Sequence, residues 1–142
     1  MTVHISRSLA ADLLSRAAST PELEVCGLLF GADGRIDHAR PCLNIAEHPD
    51  SSFEIDPAAL IAAHRAGRSG GAVMIGHYHS HPVGAAAPSP RDLAAAAGDG
   101  AIWLIIGGGT ITGWRSDAAG SLSPVAVEMA GQGDLPAANF GA

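Results

Sequence analysis

The sequence predicts a single α/β or α+β domain in which a β-sheet is flanked by helices. Apolar runs of strand length occur in mixed order with segments of helical period. Two cap residues are followed directly by proline, at Asp56-Pro57 and Ser89-Pro90, and each pair marks the start of a helix. A chain of 142 residues is long enough for one such domain with a substantial core.

Two helices and three strands are expected in the first half of the chain. Leu9, Leu13 and Leu14 form an apolar stripe at helical spacing, and Ser6 or Ser8 can cap the helix that carries them. An Asp-Gly pair separates two of the predicted strands and is typical of a hairpin turn. The predicted elements are a helix over 6–19, strands over 25–30, 35–43 and 53–55, and a helix over 57–67.

The second half is expected to contain four strands and one short helix. The first of these strands leads into the histidine-rich segment at its carboxyl end. The predicted elements are a strand over 72–78, a helix over 90–97, a hairpin of strands over 101–106 and 110–115, and a last strand over 121–129. We therefore assign the domain to residues 1–129. Residues 130–142 are rich in Gly, Ala and Pro, which predicts a flexible tail.

Composition excludes several classes of function. The formal net charge is −6, which argues against a nucleic-acid-binding protein. Every basic residue is arginine, so neither a Schiff-base lysine nor a P-loop lysine is available. The N-terminus lacks the pattern of a signal peptide, and no apolar run is long enough to span a membrane. The two cysteines, Cys26 and Cys42, suit reduced thiols, so we expect a cytoplasmic protein.

Residues 76–82 are the most informative segment, because three histidines fall within five positions. Alternate residues of an extended segment share one face, which places His79 and His81 side by side. Asp92 follows closely and can supply a third ligand, which would leave the fourth position of a zinc ion open, as in catalytic sites. His77 is harder to include, because the three alternate residues span about 13 Å. We expect His77 to support the site or the fold rather than bind the metal.

The residues around these histidines allow two interpretations each. Ser89 and Asp92 form an Ser-x-x-Asp capping box, which explains both without a metal, although a helix start is also a rigid mount for a ligand. Ser89 could also donate a hydrogen bond to an oxyanion. Glu24 precedes a buried apolar strand, where poor solvation would raise its pKa and suit a proton shuttle. An ordinary charge at the edge of a strand explains Glu24 equally well.

Three motifs together resemble the signature of the JAMM (MPN+) metalloproteases. They are Glu-Val-Cys-Gly at residues 24–27, His-Ser-His-Pro at 79–82, and Ser-Pro-Arg-Asp at 89–92, with seven residues between the second histidine and the serine. Asn44 and the stretch 53–57 resemble the compact bacterial members. The resemblance covers roughly residues 1–129, and it implies a curved mixed sheet with flanking helices, similar to cytidine deaminases.

The resemblance also implies an activity. In the family pattern His79, His81 and Asp92 bind one zinc ion, Glu24 is the general acid and base, and Ser89 stabilises the oxyanion. The expected reaction is hydrolysis of an amide bond at the C-terminus of a ubiquitin-like sulfur-carrier protein. Two alternatives stay open, namely a non-catalytic scaffold for protein contacts and a zinc hydrolase of a small-molecule amide. The sequence indicates no particular oligomeric state.

Overall fold

A computed structural model describes residues 1–32 and 34–130. In that part of the chain the helices are α1 (Arg7–Ser19), α2 (Pro57–Arg68) and α3 (Pro90–Ala95). The strands are β1 (Thr2–Ser6), β2 (Cys26–Ala32), β3 (Arg35–Cys42), β4 (Met74–Ser80), β5 (Ile102–Gly107), β6 (Thr110–Ala118) and β7 (Ser121–Ala130).

The strands form one mixed sheet that curves until its ends meet. Its order is β1-β3-β2-β4-β5-β6-β7, and β1 closes the barrel by pairing with both β3 and β7. Those two pairings and the β4–β5 pairing are parallel, whereas the other neighbours are antiparallel. The predicted class, a mixed sheet with flanking helices, is confirmed.

Strand β2 lies at the centre of the fold because both of its faces are buried. Leu29 belongs to the apolar cluster that includes Leu13 of α1, whereas Leu28 and Phe30 pack in a second cluster with Ala63 of α2. Alternation of side chains along the strand divides these residues between the two clusters. The sheet is therefore covered by α1 on one face and by α2 on the other.

The helices begin where their cap residues predict. Ser6 rather than Ser8 caps α1, and its Oγ accepts a hydrogen bond of 3.1 Å from the backbone N–H of Leu9. Asp56 caps α2 by accepting from the N–H of Ala58 at 3.0 Å. Among the described residues, no helix has both the length and the apolar character needed to cross a bilayer.

Strand β1 was not predicted. It has only five residues, and its two central apolar side chains, Val3 and Ile5, are completely buried. Its partners lie at residues 35–36 and 126–130, so the pairing depends on segments that are distant in sequence. A short alternating segment beside a helix start carries little local information about such partners.

Three further expectations need correction. The predicted strand over 53–55 is wrong, since this segment forms only a single bridge between Asn44 and Ile55. The strand predicted over 72–78 runs two residues later, from Met74 to Ser80, and therefore includes His79. Ala130, assigned to the tail, is the last residue of β7, and the rest of the predicted tail lies outside the described residues.

The contact between β4 and β5 leaves no space for a side chain at Gly76. A Cβ at this position would collide with the backbone carbonyl of Ile102. We expect Gly76→Ala to lower the free energy of unfolding by at least about 2 kcal/mol, because the backbone of β5 would have to shift. Denaturant unfolding followed by circular dichroism measures this loss.

Gly67→Ala is the matched control. Gly67 lies in α2, where the added Cβ would meet its nearest atom at an ordinary 3.5 Å. We expect this variant to be more stable by roughly 0.5–1 kcal/mol, since alanine favours helix. Equal stability of the two variants would contradict the close packing described for β4 and β5.

Candidate metal centre

The structure brings His79, His81 and Asp92 together at one point. The two Nε2 atoms lie 3.1 Å apart, and each lies 3.1 Å from Oδ2 of Asp92. Ligand atoms of a tetrahedral zinc ion, bound at 2.0–2.2 Å, lie about 3.3–3.6 Å from one another. The triangle is thus only slightly tighter than zinc would require, and two imidazoles with one carboxylate are donors that suit zinc.

The register of the sheet explains why these side chains meet. His79 is the penultimate residue of β4, and it is paired with Cys26 at the beginning of antiparallel β2. Two residues beyond this pair, Glu24 just before β2 and His81 just after β4 therefore reach the same edge of the sheet. A glutamate from one segment and histidines from another thus converge without any unusual backbone geometry.

His81 is held in an orientation that suits a metal ligand. Its Nδ1 lies 3.0 Å from the backbone carbonyl of Ala85, which can only accept, so Nδ1 is the donor. In the neutral ring, Nε2 is then left with a free lone pair. The hydrogen bond with Asp92 raises the pKa of His81, whereas burial lowers the pKa of His79.

Asp92 serves as a helix cap and as a partner of both histidines. Its Oδ2 accepts a hydrogen bond of 2.9 Å from the backbone N–H of Ser89, and Ser89 Oγ accepts one of 3.1 Å from the N–H of Asp92. The capping-box interpretation is thus confirmed, and it coexists with the contacts to His79 and His81. Burial alone would raise the pKa of Asp92, but its hydrogen bonds with His79 and His81 outweigh burial and hold the pKa below its usual range.

Glu24 faces the same centre from the side of β2. It is buried, its Oε1 has no hydrogen-bond partner among the described residues, and its carboxylate lies within 4.8 Å of the ligand atoms of His79 and His81. Burial raises the pKa of Glu24 to about 7, so the carboxyl can release and regain a proton near neutral pH.

Two carboxylates therefore compete as the third member of a metal-binding group with His79 and His81. The Glu24 carboxylate lies within 4.8 Å of the ligand atoms of both histidines, whereas Asp92 Oδ2 lies 3.1 Å from both Nε2 atoms. These contacts make Asp92 the stronger candidate for the third ligand, because the ligand atoms of one zinc ion lie about 3.3–3.6 Å apart.

Asn44 and Ser80 hold the segment that carries Glu24. Asn44 Nδ2 donates hydrogen bonds of 2.9 Å to the carbonyls of Glu24 and Ser52. Ser80 Oγ accepts a bond of 2.9 Å from the N–H of Val25. The role of Ser80 was not predicted; its position between two predicted ligands, on the opposite face of the strand, was the available signal.

A cleft of about 210 Å³ opens onto the centre. It is smaller than the cavities that usually enclose a drug-sized ligand, so it suits a short segment of chain. Glu24, His81 and Ser89 share this opening, which means that three of the predicted site residues face one space. The remaining lining residues are Asp50, Ser51, Pro82 and Val83.

His77 and the two cysteines stay outside the centre. The His77 ring packs edge-on against Trp103 at 4.4 Å, and burial lowers the pKa of His77 to about 4, so the ring is neutral. Cys26 and Cys42 are free thiols. Burial raises the pKa of Cys26 to about 12, which makes it a poor nucleophile.

Comparison with known proteins relates most of the chain to one family. A family model described as prokaryotic homologues of the JAB domain matches residues 6–117. A desampylase from Haloferax volcanii is 39% identical over 134 residues, which cover 85% of this chain and 96% of that protein. A probable TtuB-protein conjugate cleaving protease from Thermus thermophilus is 30% identical over 93 residues, covering 66% of this chain and 62% of that protein.

Solved structures share the fold. A protein from Desulfitobacterium hafniense aligns with a TM-score of 0.74 at 25% identity, covering 94% of this chain and 97% of that one. A structure described as a metalloprotease-like zinc site in the proteasome and signalosome aligns with a TM-score of 0.54 at 20% identity, covering 90% and 99% of the two chains. At these identities the likeness concerns architecture.

The hydrogen bonds of Asn44 lead to a prediction about stability. We expect Asn44→Ala to lower the free energy of unfolding by roughly 1–3 kcal/mol, because the carbonyls of Glu24 and Ser52 lose their donor. Ser52→Ala is the control, since its hydroxyl makes one exposed bond to the carbonyl of His48. Denaturant unfolding of both variants tests this, and an equal loss would contradict a special role of Asn44.

Proposed function

The chain belongs to the family of prokaryotic homologues of the JAB domain, and on this premise we propose that it is a zinc-dependent metallopeptidase of JAMM type. It hydrolyses an amide or isopeptide bond at the C-terminus of a ubiquitin-like sulfur-carrier protein. The observation that carries the proposal is the triangle of His79, His81 and Asp92, with contacts of 3.1 Å and Glu24 beside it.

We assign His79, His81 and Asp92 as the ligands of one zinc ion per chain. Their donor atoms have the required chemistry and nearly the required spacing, and Asp92 is held as a carboxylate. Three protein ligands leave one coordination position for the reaction. When bound, zinc would make a water molecule acidic and polarise the scissile carbonyl.

Glu24 is the general acid and base in this proposal. Its carboxylate takes a proton from the attacking water and delivers it to the nitrogen of the leaving amine. A pKa raised by burial to about 7 suits both steps, because the group is neither a strong acid nor permanently protonated near neutral pH. The unpartnered Oε1 is free to accept that proton.

Ser89 stabilises the oxyanion of the tetrahedral intermediate. Its Oγ already accepts the backbone N–H of Asp92, so its own O–H remains available to donate. The side chain lines the same cleft as Glu24 and His81. Capping therefore fixes the position of the donor that the reaction needs.

The substrate class is inferred from the relatives and from the cleft. The relatives are named as a desampylase and as a probable protease that cleaves TtuB-protein conjugates. The cleft, with a volume of about 210 Å³, accommodates the extended C-terminal segment of a carrier protein more readily than a folded surface. We also propose a cytoplasmic location, which the two free thiols favour.

Metal analysis and hydrolysis should be measured together on four proteins. We expect about one zinc per chain in the wild type and in Glu24→Gln, and loss of zinc in His79→Ala and Asp92→Ala. Glu24→Gln should reduce hydrolysis by at least roughly 100-fold, because it removes the proton acceptor without removing a ligand. Substrates are ubiquitin-like carriers with C-terminal extensions, assayed beside small free amides.

Each contrary outcome has a distinct meaning. Absence of zinc from the wild type after dialysis against zinc would favour the scaffold alternative. Full hydrolysis by zinc-loaded Glu24→Gln would refute the role of Glu24. Turnover of the small amides alone would replace the protein substrate with a small-molecule conjugate.

Ser89→Ala should have two effects. Loss of the oxyanion donor should reduce kcat by roughly 100-fold or more. Loss of the cap of α3 should lower the free energy of unfolding by about 1 kcal/mol. Ser6→Ala is the matched control, because it removes the equivalent cap of α1 without touching the cleft. A similar loss of kcat in both variants would mean that Ser89 acts only through stability.

A further inference from the structure

A histidine that binds a metal must have its ring plane fixed, because rotation about the last side-chain torsion is only weakly restricted. The second ring nitrogen usually achieves this by donating a hydrogen bond. His81 follows the rule through its 3.0 Å contact from Nδ1 to the carbonyl of Ala85. One of the two imidazoles of the centre is therefore oriented in the ordinary way.

His79 is oriented differently. Its side chain is 0% exposed, and its buried Nδ1 has no hydrogen-bond partner among the described residues. His79 thus lacks the hydrogen bond from Nδ1 that orients the ring of His81. Something other than a hydrogen bond at Nδ1 must therefore help to keep Nε2 of His79 directed at His81 and Asp92.

The aromatic ring of Phe53 covers one face of His79. The ring centroids lie 4.2 Å apart and the planes differ by only 18°, which is a stacked arrangement. Phe53 also packs against His77, at 5.6 Å, and edge-on against Trp103, at 6.2 Å. The Phe53 ring is itself held by its contacts with His77 and Trp103. It therefore restricts rotation of the His79 ring, because tilting the imidazole would bring it into collision with Phe53.

The backbone on both sides of Phe53 is fixed as well. Asn44 Nδ2 donates to the carbonyl of Ser52, and Asn44 Oδ1 accepts the N–H of Glu54 at 3.1 Å. The same Nδ2 donates to the carbonyl of Glu24. One amide side chain therefore links the position of the aromatic ring to the position of the proposed base.

We propose that Phe53 is a positioning residue of the metal centre, which sets the plane of the His79 imidazole by stacking in place of a hydrogen bond. This inference rests on the proposed metal centre. It predicts that an aromatic face at position 53 is required, and that an aliphatic side chain of similar size does not replace it.

Metal binding by Phe53→Leu and Phe53→Tyr tests this proposal. We expect zinc affinity, measured by competition with a chromophoric chelator, to fall roughly 10- to 100-fold in Phe53→Leu, in the range found for groups that orient a ligand. The visible absorption of the Co²⁺-loaded protein should shift and weaken, since it reports the geometry of the ligands. Phe53→Tyr keeps the aromatic face and should retain both properties.

Phe30→Leu is the matched control. Phe30 is buried in the core beside α2 and also stacks on a histidine, His38, with ring centroids 4.6 Å apart. The substitution removes an equivalent ring from a site without metal ligands, so it should lower stability and leave zinc affinity unchanged. Circular dichroism checks that every variant is folded at the temperature of the titration.

The outcomes separate this inference from the proposed function. Wild-type affinity and an unchanged Co²⁺ spectrum in Phe53→Leu would overturn the role of Phe53 while leaving the metal centre intact. Equal losses in Phe53→Leu and Phe30→Leu would also overturn it, because the effect would then be one of general packing. If the wild type bound no zinc, both the metal centre and the role of Phe53 would be refuted.

Discussion

Asp92 is a buried carboxylate, and the arrangement of the candidate metal centre follows from the need to compensate its charge. Only 5% of the residue is exposed, and burial by itself favours the neutral acid. The backbone N–H of Ser89 and the two imidazoles compensate the carboxylate. Because the same oxygen takes part in the helix cap and in the triangle, the start of α3 is held against the histidines at the end of β4.

Strand β4 connects this constraint to the rest of the molecule. It is held between β2 and β5, with a glycine where the backbone of β5 approaches closely. Its carboxyl end carries the histidines, and β2 begins beside it. The proposed base and the histidine ligands therefore lie at the edge of the sheet where β4 ends and antiparallel β2 begins. The hydrogen bonds of Asn44 and Ser80 fix the chain segments at that edge.

Short sequence motifs allowed much of the fold and of the candidate site to be predicted. The spacing of the histidines and the Ser-x-x-Asp motif reveal candidate ligands within fourteen positions, from 79 to 92, and the match of the family model over residues 6–117 confirms the resemblance. The individual roles of those residues stay predictions. Cap residues located the helix starts because their chemistry is local.

What could not be predicted depends on contacts between distant segments. Strand β1 has too few residues to reveal partners at the other end of the chain. Phe53 was assigned to a strand, because its neighbours in sequence suggest one and its contact with His79 exists only in the folded protein. The same holds for Asn44, whose amide joins three segments that the sequence shows as separate.

Closure of the barrel has a consequence for how the protein is made. Residues 2–6 pair in parallel with residues 126–130, so the pairing of β1 with β7 joins segments about 120 positions apart. During synthesis the edge of β1 that pairs with β7 lacks its partner until the last strand has left the ribosome. Such non-local pairing slows folding and exposes an unpaired edge to other chains. Synthesis rate and chaperone supply are therefore expected to influence the yield of active protein more than they would for a fold built from local contacts.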